Sequence, residues 1–382
     1  MLSFSRENTG SLAKWWRNID KQILFLFIFL LFLGLFFSFS STTSVVSEKM
    51  NKQTYFFFIK HFIFVIFSLF LLIVISIQDN NKLTKYLTYV FFISVALLLL
   101  TLFIGVEIKG SKRWIEVPAF PMRFQPVELV KPLLIVFIAK IIITNQKKNI
   151  YKRYLNSFLV LIFILIILIN QPDFGQTLLI TSVWLTMIFV SGFNMLVLTI
   201  IGLLFLSLSM SLIFFFPGKF GYISFRIKTF LNPKVGDNFQ SEKALDAIKQ
   251  GGLTGRGMGE GILKDKVPEA HTDYIIAVIS EEFGVIFVLF IVILFLLIGY
   301  KVLNKVFSKQ NEFLKLALVG LTSLLIIQTF IHIGVNTRLL PTTGMTLPFL
   351  SYGGSSLMGS SIVAGIILNF TRKDYMRYLK DE

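Results

Sequence analysis

Asp273 is the residue best placed for chemistry. It ends the polar stretch that runs from Gln250, and Tyr-Ile-Ile-Ala-Val-Ile follows it at once. A carboxylate therefore stands where a hydrated loop enters an apolar helix, a low-dielectric edge at which its acidity can be tuned. The same position also suits an N-cap, with Thr272 competing for it. An Asn separates the two roles, because it caps nearly as well as Asp and is a poor base.

Other charged groups stand in similarly apolar settings. Glu281 and Glu282 lie about two turns, or ~12 Å, beyond Asp273 in the same apolar run. Such carboxylates are costly and need inward-facing partners, for which Arg338, Lys131 or a close helix contact near Gly284 are the candidates. Pro126 opens a helix that carries Glu128 and Lys131 three residues apart on one face, either as a self-neutralising structural pair or as the polar wall of a substrate cavity. Asp173, in the tight Asn170-Gln-Pro-Asp-Phe-Gly-Gln176 hairpin, suits a cap on the next helix or a contact to a polar head group or cation. Cations gather in two intervals, Lys112 and Arg113 in the first and Arg226 and Arg256 in the second. Around Arg256 the series Gly251, Gly252, Gly255, Gly257, Gly259 and Gly261 reads either as an anion nest suited to a pyrophosphate or as a merely flexible loop. No strand or βαβ unit precedes it, so a dinucleotide fingerprint is excluded. Ser351, Ser355 and Gly359 recur every four residues, the spacing of small-residue helix packing. His332 reads as a satisfied interior histidine, and Lys60 and His61 as groups reaching for the interface.

The elements that must position these groups are membrane helices. Of 382 residues, 55% are hydrophobic and 43 are Phe, which no ordinary soluble globule tolerates. Apolar runs of about 20 residues fall at roughly 22–43, 55–77, 86–105, 125–144, 154–171, 174–192, 195–216, 273–300, 313–336 and 349–371. The fold expected is all-α and polytopic with ten spans: a segment 1–21, a membrane domain 22–371 containing one large extracytoplasmic loop at 217–272, and a tail 372–382. The first span has no cleavage motif after it and reads as an uncleaved anchor.

The net charge of +16 has no basic helix or aromatic-basic platform behind it, so nucleic acid is not expected as a partner. Lys14, Arg17 and Lys21, then Lys82 and Lys85, Lys147 and Lys148, Lys301 and Lys305, and Arg372, Arg377 and Lys380 fall on one side of a ten-span path, which puts both termini in the cytoplasm. The chain has no Cys, which excludes disulfides, thiol catalysis and thiolate metal sites.

Four separated motifs coincide: Lys112-Arg-Trp-Ile with Phe124-Gln-Pro-Val-Glu-Leu-Val-Lys131, Gln171-Pro-Asp-Phe-Gly175, Pro268-Glu-Ala-His-Thr-Asp273 with Glu281-Glu-Phe-Gly284, and Leu347-Pro-Phe-Leu-Ser-Tyr-Gly-Gly-Ser-Ser356. Together they resemble the SEDS family (shape, elongation, division and sporulation) of bacterial membrane glycosyltransferases over about residues 20–371. The runs Ala244 to Gly261 and Pro341 to Pro348 look more like its cell-division member than its elongation member. Val127 and Ser280 depart from the family's usual Ser and Gly beside retained charges.

The resemblance implies polymerisation of lipid II into glycan strands at the outer face of the cytoplasmic membrane, at the division septum. It implies a class B penicillin-binding transpeptidase and other division proteins as partners. Asp273 matches the family's essential aspartate and would deprotonate the acceptor sugar 4-hydroxyl. Lys112, Arg113, Lys131, Arg226 and Arg256 would face the pyrophosphate with Glu128 and Asp173 beside them. Glu269, His271, Glu281, Glu282, Arg338 and Ser351 would support the site. Mg²⁺ or Mn²⁺ would suit hard oxygen ligands, though no ligand set is legible. Two other classes remain open, a flippase for lipid-linked precursors and a non-catalytic division scaffold. An elongation-type polymerase is the variant within the family.

Overall fold

The computed structural model describes residues 10–42, 55–108, 111–117, 122–144, 150–215, 217–231, 239–263 and 269–373. Lys147, Lys148, Arg377 and Lys380, and nearly all of the tail, lie outside them. Its helices are α1 (Ser11–Asn18), α2 (Lys21–Thr42), α3 (Phe56–Ile77), α4 (Asn80–Ile104), α5 (Val127–Thr144), α6 (Ile150–Asn170), α7 (Phe174–Val190), α8 (Met195–Phe215), α9 (Pro217–Leu231), α10 (Phe239–Gly251), α11 (Ile275–Ser308), α12 (Glu312–Asn336) and α13 (Gly354–Thr371). Runs of Leu, Phe and Ile fold this way because a hydrocarbon medium offers no partner for a backbone N–H or C=O outside its own segment. Among the described residues seven helices are long and apolar enough to cross a membrane: α2, α3, α4, α6, α11, α12 and α13.

The most enclosed of these are α12 and α13. α13 packs along α3 and α5, and α12 along α5, α7 and α11. Small residues permit this closeness: a Cβ on Gly359 would meet the Glu128 carbonyl oxygen at 2.6 Å. The outer helices turn Phe62, Phe70, Phe92 and Phe103 outward, as a lipid-facing surface requires.

Two departures from an all-α chain with one continuous span eight follow. The interval before α5 is a three-stranded antiparallel sheet, β1 (Val106–Ile108), β2 (Ser111–Val117) and β3 (Met122–Phe124), in the order β1-β2-β3. Its prolines and Gly exclude a helix, and the alternating run Ser-Lys-Arg-Trp-Ile-Glu-Val suits a pleated ribbon. The loop 217–272 likewise contains α9 and α10.

α11 is broken. Gly284 has φ 80° and ψ 171°, dividing it into a short half that begins beside Asp273 and a long half from Val285 to Ser308. The glycine-rich segment supplies the backbone partners that the break removes. Arg256 and Gly257 donate to the carbonyls of Glu281 and Glu282, and Val285 and Ile286 donate to those of Gly252 and Leu253. The approach leaves no room for a side chain, since a Cβ on Gly284 would lie 2.1 Å from the Leu253 carbonyl oxygen. The long half is about 36 Å at ~1.5 Å per residue, enough to cross a ~30 Å hydrocarbon layer alone.

Candidate active site

A cavity of about 1440 Å³ opens between the sheet, α3, α5, α9 and the segments on either side of α11 and α13. Asp273, Glu269 and His271 line it together with Glu128, Arg113, Arg226 and Arg338. These residues gather because the two turns at 269–274 and 338–353 fold onto each other, joined by Ser351 Oγ to the Thr272 carbonyl and by Tyr352 N–H to the His271 carbonyl.

The turn that carries Asp273 is built around one carbonyl. Glu269, in the left-handed region at φ 59°, accepts from the N–H groups of Thr272, Asp273 and Tyr274 at 3.0, 3.1 and 3.4 Å. Two pins then fix it from outside. Ser351 Oγ donates to the Thr272 carbonyl at 2.7 Å while accepting from Leu347 N–H at 2.8 Å. Asn336 Nδ2 donates to the Asp273 carbonyl at 3.0 Å. Tyr352 N–H adds a bond to the His271 carbonyl at 2.9 Å. The N-cap position of α11 is Tyr274, without a side-chain cap, and the Ala277 N–H goes to Asn336 Oδ1 at 3.2 Å. Asp273 is half-buried, and its Oδ2 faces Gly344, where a Cβ would stand 3.6 Å away at φ 68°.

The rings of His271, Tyr274 and Tyr352 beside the acid stay uncharged at neutral pH. Burial, with Asp273 and Glu269 adding to it, pushes the Tyr274 phenol up. Burial raises Tyr352 to about 12. Burial holds the His271 imidazole below its usual range, with Glu269 opposing. His271 and Tyr352 are also in ring contact at 5.6 Å.

Cations reach the cavity already tied down. Arg113 donates to the carbonyls of Gln171, at 3.1 Å, and Pro172, and pairs with Asp173 at 3.6 Å. Arg226 Nη1 donates to the Thr342 carbonyl at 2.9 Å. Arg338 pairs with Glu242 at 3.7 Å. Opposite them, buried Glu128 Oε2 lies 2.9 Å from buried Lys131 Nζ, Gln176 Nε2 donates to Glu128 Oε1 at 3.1 Å, and Lys131 donates to Gln328 Oε1 at 3.3 Å. The pair is both of the things its spacing allowed, a neutralised couple and a cavity wall through Glu128.

Several expected site residues stand elsewhere. Lys131 sits behind Glu128 and does not line the cavity, nor do Lys112, Arg256 or Asp173. Lys112 and Arg256 are exposed, and Asp173 caps α7 by accepting from Gln176 N–H at 3.4 Å while holding Arg113. The anion nest exists, yet the chain fills it with its own carboxylates: Glu281 Oε1 accepts from Ile262 and Leu263 N–H, each at 2.8 Å, and Glu282 Oε1 from Gly259 N–H at 3.2 Å. Ser40 Oγ also donates to Glu282. Backbone amides, with Ser40 at Glu282, are thus partners of these two acids, because the break at Gly284, the close contact that was one of the candidates, brings the loop down onto them. Among the described residues no group of three or more His, Asp and Glu side chains could hold a metal ion.

Sequence reasoning passed over a stripe on α12. Gln328, His332 and Asn336 recur every four residues in an apolar helix and therefore share a face. That face carries the site: Gln328 Nε2 donates to the Thr346 carbonyl at 2.9 Å, His332 Nδ1 bonds the Met345 carbonyl at 2.7 Å, and Asn336 holds Asp273.

Residues 21–376 match the FtsW/RodA/SpoVE family model, described as cell cycle protein. The chain belongs to this family. The resemblance carried by the four motifs is borne out, and FtsW proteins are among its curated relatives. The chain is similar to the probable peptidoglycan glycosyltransferase FtsW of Caulobacter vibrioides, 32% identical over 97% of this chain and 94% of that one. It is 34% identical to the probable peptidoglycan glycosyltransferase FtsW of Geobacter metallireducens, over 87% and 89% of the two chains. Two solved structures share the fold. One chain comes from a peptidoglycan synthase complex that coordinates polymerization and crosslinking (TM-score 0.75, 23% identity, covering 92% of this chain and 97% of that one). The other is the rod shape determining protein RodA of Thermus thermophilus (TM-score 0.68, 23% identity, 93% and 97%).

Proposed function

We propose that this family member is a peptidoglycan glycosyltransferase that polymerises lipid II into glycan strands at the outer face of the cytoplasmic membrane during division, with Asp273 as its general base. The observation that carries the reading is the convergence of a half-buried carboxylate and three tethered guanidinium groups on one cavity. Asp273 takes the proton from the acceptor's sugar 4-hydroxyl, and that oxygen attacks the anomeric carbon of the growing strand. The bond to undecaprenyl pyrophosphate breaks with inversion, and the electron pair leaves on the pyrophosphate. Arg113, Arg226 and Arg338, held by carbonyls and carboxylates before substrate arrives, meet the negative charge with little reorganisation. Glu128 and Gln176 offer the acceptor sugar a polar wall.

In the same reading α5, α7 and α8 also cross the bilayer, making ten spans with 217–272 outside and both termini in the cytoplasm. The far end of the bundle supports this: Asp20 pairs with Lys305 at 3.0 Å, Lys373 N–H donates to the Asn18 carbonyl at 3.0 Å, and Arg372 Nη1 donates to the Ile77 carbonyl at 3.2 Å. The division septum is the site of action, and a class B penicillin-binding transpeptidase is the partner that crosslinks the strands. Purified protein in detergent, given lipid II alone, is expected to build polymer. A flippase has no compartments to work between under those conditions, and absence of polymer there would overturn the reading.

A further inference from the structure

We propose that Asn336 is a positioning residue for Asp273, one whose amide aims the acid and at the same time caps the half-helix that follows it. This rests on the reading of Asp273 as the base.

Asn336 has no solvent exposure and makes three bonds. Its Nδ2 donates to the Asp273 carbonyl at 3.0 Å and to the His332 carbonyl at 2.8 Å, and its Oδ1 accepts from Ala277 N–H at 3.2 Å. Both amide hydrogens and the acceptor are therefore used. The carbonyl of Asp273 belongs to the residue that does the chemistry, and the carbonyl before it, that of Thr272, is held by Ser351. Two consecutive carbonyls gripped from two different segments fix the backbone plane from which the acid's Cβ projects. Gly344 leaves the space into which Oδ2 points.

The cap bond has its own consequence. The first N–H groups of a helix attract a nearby carboxylate, and an aspartate drawn into that role is committed to the helix. The Ala277 N–H, which also donates to the Tyr274 carbonyl at 3.0 Å, shares its proton with a neutral oxygen from across the bundle, Asn336 Oδ1. Capping and aiming use different atoms, Oδ1 and Nδ2, and substitution separates them.

Asn336→Asp keeps an acceptor for the Ala277 N–H and sets a carboxylate oxygen against the Asp273 carbonyl where a donor had been. Asn336→Leu removes all three bonds. The full-length variants would be purified in detergent and compared for lipid II polymerisation, thermal midpoint and the pH profile of kcat/KM. The expected result for Asn336→Asp is a kcat lowered about 10²-fold, the scale of a ~1 Å misplacement, with KM within about 2-fold and an altered acid limb. Its thermal midpoint should fall, since a buried carboxylate then faces the Asp273 and His332 carbonyls, and that of Asn336→Leu should fall as well. Asn336→Ser, neutral and too short to reach the Asp273 carbonyl, carries the same kcat prediction should Asn336→Asp fail to fold. Asp273→Asn is run alongside. If it still polymerises lipid II, the base assignment fails and takes this inference with it. If it is inert while Asn336→Asp, or Asn336→Ser in its place, turns over like the wild type, the positioning role alone is overturned.

Discussion

Ser351 Oγ reaches the carbonyl of Thr272 at 2.7 Å, so a residue opening the last membrane helix holds the peptide next to Asp273. The same oxygen accepts from Leu347 N–H; Ser351 and Leu347 are buried and Thr272 is half-buried. Ser351→Ala leaves a carbonyl and an N–H unmet at a cost of about 1–3 kcal/mol each. The expected outcome is a lower thermal midpoint and a several-fold lower polymerisation rate, read from glycan product formed per minute by purified protein.

Glu128 and Lys131 are a buried pair, and removing either charge strands the other. Glu128→Met or Lys131→Met alone is expected to destabilise the protein by about 3–5 kcal/mol, and the double Met variant to recover most of that loss. Thermal unfolding in detergent measures the cycle. None of the three should polymerise normally, because Glu128 faces the cavity.

Gly284 tests the broken helix. An alanine there would be strained at φ 80° and would drive its Cβ into the Leu253 carbonyl oxygen, costing about 1–3 kcal/mol for the backbone alone. Gly284→Ala should release segment 252–263 from Glu281 and Glu282, seen as faster amide exchange and new protease cuts confined to that segment.

His271 gives stability a pH dependence of predictable sign. Burial lowers its pKa from 6.5 in the folded chain, so the folded state binds the proton less readily than the unfolded one. Its contribution is full above about pH 6.5 and is lost as the pH falls from there towards the lowered folded value. The thermal midpoint of wild-type protein should therefore drop more between pH 7 and pH 5 than that of His271→Phe, which keeps an aromatic ring against Phe57 and Tyr352.

How much of this was legible in the sequence depends on the range of the signal. Apolar runs located the helices, since a hydrocarbon medium permits little else, though α4 begins at Asn80 before its run and α11 continues to Ser308 beyond its run, because polar residues extend a helix without adding to the apolar signal. Asp273 stood out because an acid at the mouth of an apolar helix is costly. Glu281 and Glu282 were visible for the same reason, but their partners were not. Backbone amides carry no side-chain signature, and only the break at Gly284 brings Gly259, Ile262 and Leu263 to them. The stripe Gln328, His332 and Asn336 was readable by its four-residue spacing and was passed over in favour of charged groups. That Arg338 lines the cavity and Arg256 does not depends on how two loops fold, which no local pattern encodes.

The central claim, that Asp273 removes the proton from the acceptor hydroxyl, is tested most directly by the rate at which purified Asp273→Asn polymerises lipid II. Asn preserves shape and hydrogen bonding and lacks basicity, so the variant should unfold at the wild-type temperature and its rate should fall by about 10²-fold or more. A variant that makes glycan strands at close to the wild-type rate would contradict the account.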